Sequence, residues 1–527
     1  MKKSLISAAV LLAASLGTGT AQTPPGLFES QAEPTPRGKI DELVFAKLKQ
    51  LGIQPAHVCS DEVFVRRVYL DVIGTLPTPQ EVRQFLANRN PDKRRALIDR
   101  LLEREEFADY WAMKWSDLLR VKAEFPINLW PNAAQAYHRW IRTSIRENLP
   151  YDRFVREMLT QSGSNFRVPQ VNFYRALQNR EPQGIAQAVA LTFMGTRADR
   201  WPKERLSGMA AFFSQVSYKS TSEWKEEIVS FDPGKTTAGE SGGAPHAAVF
   251  PDGAPARLSP DRDPREVFAD WLITPQNPWF ARNIANRAWS WLLGRGIIHE
   301  PDDIRPDNPP SSPELLAFLE KELIAARYDL KHLYRLILNS TTYQLSSVPR
   351  SKHPEAEAHF AYYPLRRLEA EVLIDALNQI TGTTEKYSSA IPEPFTFIPE
   401  SHRSIALPDG SIGSAFLEMF GRPPRDTGLE SERNNRLTAA QRLHLLNSSH
   451  IRRKIEQSPK TLFLAQSSVR PRDVVDGLYL MILSRHPTEA ELKTVAEYTQ
   501  SGSATRREVV FDLAWALVNS TEFLYRH

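Results

Sequence analysis

Apolar residues recur along most of this chain at intervals of three and four, the spacing that places them on one face of an α-helix. Residues 39–52 show it first, with Ile40, Leu43, Val44, Leu48 and Leu51 on one stripe. The same period predicts helices over 62–73, 92–103, 106–119, 133–148, 151–160, 183–195 and 206–215. It resumes over 263–271, 314–326, 330–338, 365–380, 438–456 and 474–483, and the last residues are again helical. Strand alternation is almost absent, and 217–229 holds at most one short hairpin. The fold class is therefore all-α.

The organising stretch is 277–306, NPWFARNIANRAWSWLLGRGIIHEPDDIRP. Asn277 can cap a helix, and Pro278 suits a first helical position because its missing N–H would be unpaired there anyway. Phe280, Ile284, Ala288, Trp291 and Leu292 form its apolar face; Arg282, Asn283, Asn286 and Arg287 lie on or beside the other. Gly294 and Gly296 permit the positive φ that ends a helix. The loop beyond offers Asp302 and Asp303.

One repeat stands out. VYLDVIGTLPTPQE at 68–81 aligns without gaps with LYLMILSRHPTEAE at 478–491, pairing Tyr69 with Tyr479, Pro77 with Pro487 and Glu81 with Glu491. Both copies later reach Glu-Phe, at Glu106-Phe107 and Glu522-Phe523. The pattern predicts a recurring helix–Pro turn–helix unit, which suggests a scaffold more than chemistry. Gly, Pro, Ala and Ser dominate 232–262, which is expected to link two helical domains, 39–231 and 263–527.

Composition narrows the class. With 41% hydrophobic and 24% charged residues, the 527-residue chain reads as globular. Residues 1–21 read as a secretory signal: Lys2 and Lys3, then an apolar run over 5–16, then Gly19 and Ala21 before Gln22. Residues 22–38 form a disordered lead-in. The formal charge of +4 falls by two when Lys2 and Lys3 leave with that leader, too near neutral to imply nucleic acid. No stretch of the mature chain is long and apolar enough to span a bilayer. These features predict an exported protein, periplasmic or extracellular.

Cys59 is the one cysteine, so intrachain disulfides, Cys-rich zinc sites and covalent c-type haem are excluded, and no cofactor or metal is expected. His444 and His450, six apart on a single helix, would fall on almost opposite faces. The candidate chemistry is acidic and cationic. Asp302, Glu430 and Glu432 could supply an acid–base pair for a hydrolase. Arg287, Arg295, Arg422, Arg425 and Arg433, with Trp291 or Trp289 as an apolar wall, could bind an anionic or sugar ligand. The favoured reading is that these groups form an ion network that locks loops between helices.

Particular motifs carry a resemblance. FVRRVYLDVIGTLPTPQEV at 64–82, LIDRLLEREEFADYWAMKWSDLLR at 97–120 and LPYDRFVREMLTQSGSNF at 149–166 resemble the first of two paired bacterial domains of unknown function. NRAWSWLLGRGIIHEPDDI at 286–304, SSPELLAFL at 311–319, RRLEAEVLIDAL at 366–377 and FGRPPRDTGLESER at 420–433 resemble the second. The pair occurs in planctomycete-type cytochrome-associated proteins, often secreted and often beside c-type cytochrome modules. The resemblance implies an extracytoplasmic setting and brings no assigned activity. The Cys-x-x-Cys-His-type segment common in the family is replaced here by RADRWPKER at 197–205, and Gly428 and Leu429 stand where the family has a further Cys. The combined expectation is a non-catalytic binding or assembly component, with a protein partner or polymeric substrate. The alternative is a carboxylate-based hydrolase of a polymer such as polysaccharide.

Overall fold

The Phe280–Leu293 helix is enclosed on almost every side, and the rest of the chain is layered around it. In the computed structural model, residues 26–30, 33–235, 247–502 and 504–527 are described; the leader expected over 1–21 lies outside them. Of the described residues, 52% are helical and 5% strand, in line with the all-α reading. The helix begins at Phe280 with Trp279 at the cap position, so Pro278 is not its first residue; Asn277 Oδ1 accepts the N–H groups of Trp279 and Phe280 at 3.0 and 3.1 Å, and the helix closes at Gly294 with φ +77°.

The polar face of this helix turns inward. Asn283, Asn286 and Arg287 are all buried. Each uses its side chain to hold a neighbouring segment. Asn286 exchanges two hydrogen bonds with the Ile298 backbone, at 2.9 and 2.8 Å. Asn283 donates to Thr192 O at 3.0 Å. Burying such groups costs stability unless they are bonded, so the polar residues here act as clips between layers.

The two sequence segments share a single hydrophobic cluster running from Ile40 to Leu524. Trp111 and Trp115, on the Glu105–Leu118 helix, lie 5.4 and 5.9 Å from Trp291, and Trp111 stacks on Tyr334 at 4.3 Å. Arg66 and Arg67, inside the Asp61–Ile73 helix, are buried. They donate to carbonyls far along the chain: Arg66 to Ile482 and Phe523, Arg67 to Tyr343, Leu345 and His527. Within the expected 232–262 connection, Phe250 stacks on Phe212 at 4.8 Å and on Trp271 at 5.1 Å.

Strands are few. Val216–Ser220 and Glu227–Phe231 form the expected hairpin, with Gly163–Ser164 added on its far edge. Arg366–Arg367 pairs antiparallel with Tyr525–Arg526.

The repeat extends beyond the backbone. In the first copy Thr78 caps the Pro79–Ala87 helix in a capping box with Glu81; in the second Thr488 caps Glu489–Gln500 in the same way with Glu491. Each glutamate then pairs with an arginine that also takes the later Glu-Phe acid: Arg104 joins Glu81 to Glu106, and Arg485 joins Glu491 to Glu522. Arg485 lies at the position aligned with Thr75, so the same cluster is assembled from different chain positions. Thr78→Ala and Thr488→Ala should each lower stability by about 0.5–2 kcal/mol, read from urea denaturation midpoints. A null effect at both would mean the boxes do not hold these turns.

The 438–456 stretch is not one helix. It breaks at Ser448, whose extended backbone starts the Ser449–Glu456 helix while its hydroxyl accepts from Ile451 N. The break brings His444 Nε2 within 3.4 Å of His450 Nδ1, and His450 Nε2 within 3.0 Å of Glu385, so the two histidines touch instead of diverging.

Candidate functional site

Asp302 sits at the bottom of the 300–304 loop, fully buried. Both its oxygens are taken: Oδ1 accepts Arg287 Nη2 at 2.7 Å, and Oδ2 accepts the backbone N–H of Glu430 at 2.6 Å. Arg287 also reaches the Glu430 carboxylate at 3.5 Å, and Trp291 Nε1 reaches it at 3.4 Å. Asp302, Glu430, Arg287 and Trp291 therefore converge. Burial pushes the Glu430 carboxyl above its usual range, against the pull of Arg287.

Arg425 and Arg433 turn toward a second cluster. Asp117, at the end of the tryptophan helix, accepts Arg425 at 2.9 Å and Arg433 at 2.6 Å. Arg433 continues to Glu371 with bonds of 2.7 and 3.0 Å. Arg422 approaches Glu371 at 3.6 Å. Burial alone would raise the Glu371 carboxyl, but Arg433 and Arg422 outweigh it and hold it at about 2. Burial beside Arg425 brings Arg422 down to about 10.

A third cluster adjoins it. Glu369 binds Lys114 at 2.6 Å and also Arg526. Asp71 takes Arg366, Arg526 and the hydroxyls of Tyr343 and Tyr363.

Two expected residues stand apart. Glu432 accepts the N–H and hydroxyl of Thr427, both at 2.8 Å, which closes a turn and takes no arginine. Arg295 follows the left-handed Gly294, and its charge acts on His299 and His359, not on the network. Trp289 packs edge-on to Phe360. Asp117, Glu369 and Glu371 complete these clusters, and helical periodicity does not mark them. The signal is present in LEAEVLI at 368–374, where two acids stand at the start of a helix among apolar residues, and buried acids need cations.

Space at this network is small. Lys114, Asp117, Trp291, Glu430 and Arg433 line a cavity of about 10 Å³, room for about one water. A separate open cleft of about 560 Å³ is lined in part by Arg37, Asp61, Arg89, Lys93 and Arg94; there Asp61 already takes Lys93 and Arg94 at 2.6 and 2.9 Å.

The 197–205 and 427–433 stretches flank the same loop. Arg197 pairs with Glu300 at 3.2 Å, and Thr196 Oγ1 donates to Ile304 O at 3.1 Å. On the other side Glu430 N–H meets Asp302. Ion pairs and backbone bonds occupy the ground between 197–205 and 427–433.

Family models match both halves of the chain. Residues 39–217 match PSCyt2, a protein of unknown function (DUF1549), and residues 264–499 match PSD1, a protein of unknown function (DUF1553). Neither the curated proteins nor the solved structures contain a match. Among the described residues, no helix is long and apolar enough to cross a membrane.

Proposed function

We propose that this chain, which belongs to the paired PSCyt2 and PSD1 families of proteins of unknown function, is a non-catalytic binding or assembly component of an extracytoplasmic system. The observation that carries the reading is the state of Asp302. It is fully buried with both oxygens engaged, and the cavity beside Glu430 has room for about one water. A glycoside hydrolase needs two carboxyls about 5–10 Å apart across a cleft that admits the substrate. An acid locked to an arginine and a backbone N–H serves instead to hold the 300–304 loop against the 429–433 segment. Export is supported by the leader pattern at 1–21. With a single cysteine, no c-type haem attachment is assigned to this chain.

The test is recovery of the exported protein from its own cells with whatever accompanies it. A stoichiometric protein or polymer partner is the expected result. Glu430→Gln, which keeps the side-chain volume, should leave capture unchanged, and the purified protein should release no reducing ends from polysaccharides. Turnover that disappears in Glu430→Gln and Asp302→Asn would overturn the binding role in favour of a hydrolase.

A further inference from the structure

Large apolar side chains at the surface are unevenly placed. Phe125, Trp224 and Phe397 are 82%, 71% and 62% exposed, and Phe395 is 42% exposed. All four come from loops, and those loops meet. Trp130, half-buried, is the centre: its ring lies 6.3 Å from Trp224 and 5.6 Å from Phe395. Phe125 is at the tip of the same short loop as Trp130, closed by Asn128 N–H to Glu124 O at 2.8 Å and Trp130 N–H to Ala123 O at 3.1 Å. Phe397 extends the segment that carries Phe395.

The patch is fixed in place. Glu124 accepts Ser389 Oγ at 2.8 Å and Ala390 N–H at 3.0 Å, which ties the 389–397 segment to the Trp130 loop. Gln135 Nε2 donates to Phe395 O at 3.1 Å. Trp224 stands at the turn of the 216–231 hairpin, and Lys225 beside it lies 5.8 Å from the Trp130 ring and 5.3 Å from the Trp224 ring. Trp130 and Lys225 both hold φ in the left-handed region, +72° and +61°. Such backbone strain persists only where the surroundings enforce it, and it clusters at functional sites. None of these rings belongs to the hydrophobic face of a helix.

The rim decides what the patch fits. Lys225, Glu223 and Glu393 are exposed on the same loops, of mixed sign, so neither a polyanion nor a polycation is favoured by charge. Flat rings flanked by charges of both signs suit an uncharged partner that carries hydrogen-bond donors and acceptors of its own. A hydroxylated chain meets both demands. The C–H face of a sugar packs on the rings, and its hydroxyls donate to the glutamates and accept from the lysine.

We infer that Phe125, Trp130, Trp224, Phe395 and Phe397 form a binding platform for a neutral polysaccharide chain. The inference deepens the binding role proposed above and rests on it; it makes no use of Asp302 or Glu430.

The test is affinity electrophoresis and calorimetry of the full chain against soluble β-glucan, arabinoxylan and dextran, with alginate as a polyanion. At least one neutral glycan should bind, and binding should persist in about 0.5 M salt, where charge attraction is screened. Trp224→Ala should weaken that binding about tenfold, the loss of roughly one good contact. Phe463→Ala, 71% exposed on a different helix, should not change it. Absence of binding to every neutral glycan, binding to alginate alone that vanishes in salt, or equal loss in Phe463→Ala would overturn the platform. Loss of a protein partner, and not of glycan, in Trp224→Ala would make the patch a protein-docking face and leave the binding role standing. Hydrolysis lost in Glu430→Gln would instead strike the proposed role.

Discussion

Glu369→Ala should destabilise the protein by about 3–5 kcal/mol, the cost of removing one partner from a buried ion cluster. Glu369 is 4% exposed at its side chain, between Lys114 at 8% and Arg526 at 1%. Burial would raise its carboxyl, but Arg526 and Lys114 hold it well below the usual range. Alanine leaves Lys114 with no carboxylate at hydrogen-bond distance and Arg526 with Asp71 at 3.3 Å and the Tyr110 hydroxyl at 3.1 Å. Arg526 is sealed from solvent, and the cavity beside Lys114 has room for about one water. Glu369→Gln keeps an acceptor and should cost less. Adding Lys114→Met to Glu369→Ala should restore part of the loss, because the stranded ammonium goes with it. Urea denaturation of the four proteins measures this. A loss below about 1 kcal/mol, the value of a solvated surface pair, would show that the cluster is wetter than its geometry implies. Lys114 comes from the first matched segment and Glu369 from the second, so the variant should also speed proteolysis within both.

The helices were legible because their apolar faces are. The spacing of Ile284, Ala288, Trp291 and Leu292 is a direct consequence of burial on one side, and Gly294 marks the stop. What the period does not reveal is burial on the opposite side. Asn283, Asn286 and Arg287 are polar, and a single amphipathic helix would expose them. Here layers close over both faces, and these side chains replace water with backbone carbonyls and carboxylates. The convergence of Asp302 and Glu430 on Arg287 follows from three-dimensional closure across 128 residues, which no local pattern encodes. Ser448 is a readable cue: a serine within a helical run can cap the next helix instead of continuing the first, and that break is what joins His444 to His450. The aromatic patch was hidden for a different reason. The tryptophans at helical spacing, Trp111 and Trp115, are core. The exposed rings stand in loop sequence such as PEPFTF at 392–397, where no periodicity exists to interpret them.

Acidification from pH 6.5 to about 4.5 should remove about 2.5 kcal/mol of stability through His138 alone, from a slope near 1.36 kcal/mol per pH unit. His138 is 5% exposed on the Pro131–Arg146 helix. Burial, with Arg425 next in effect, brings its imidazole from 6.5 down to about 3. The sign follows from proton binding. Below pH 6.5 the unfolded chain protonates this histidine and the folded chain does not, so the stabilisation is complete above 6.5 and is lost as pH falls toward 3. His527, brought down to about 4 by burial, acts in the same direction over the same window. Glu371, held near 2, begins to contribute only below the ordinary glutamate value of 4.5. Glu430, Asp375 and Asp409 are raised by burial and work the opposite way, gaining protons in the folded state as pH falls. A comparison of His138→Gln with the parent cancels these other groups. Urea midpoints at pH 7, 6, 5 and 4.5 should show a shallower acid loss in His138→Gln, by about one proton's slope. Parallel curves would mean that His138 is already hydrated or charged in the folded protein. A reversed difference would mean that its neighbours stabilise the imidazolium in spite of Arg425.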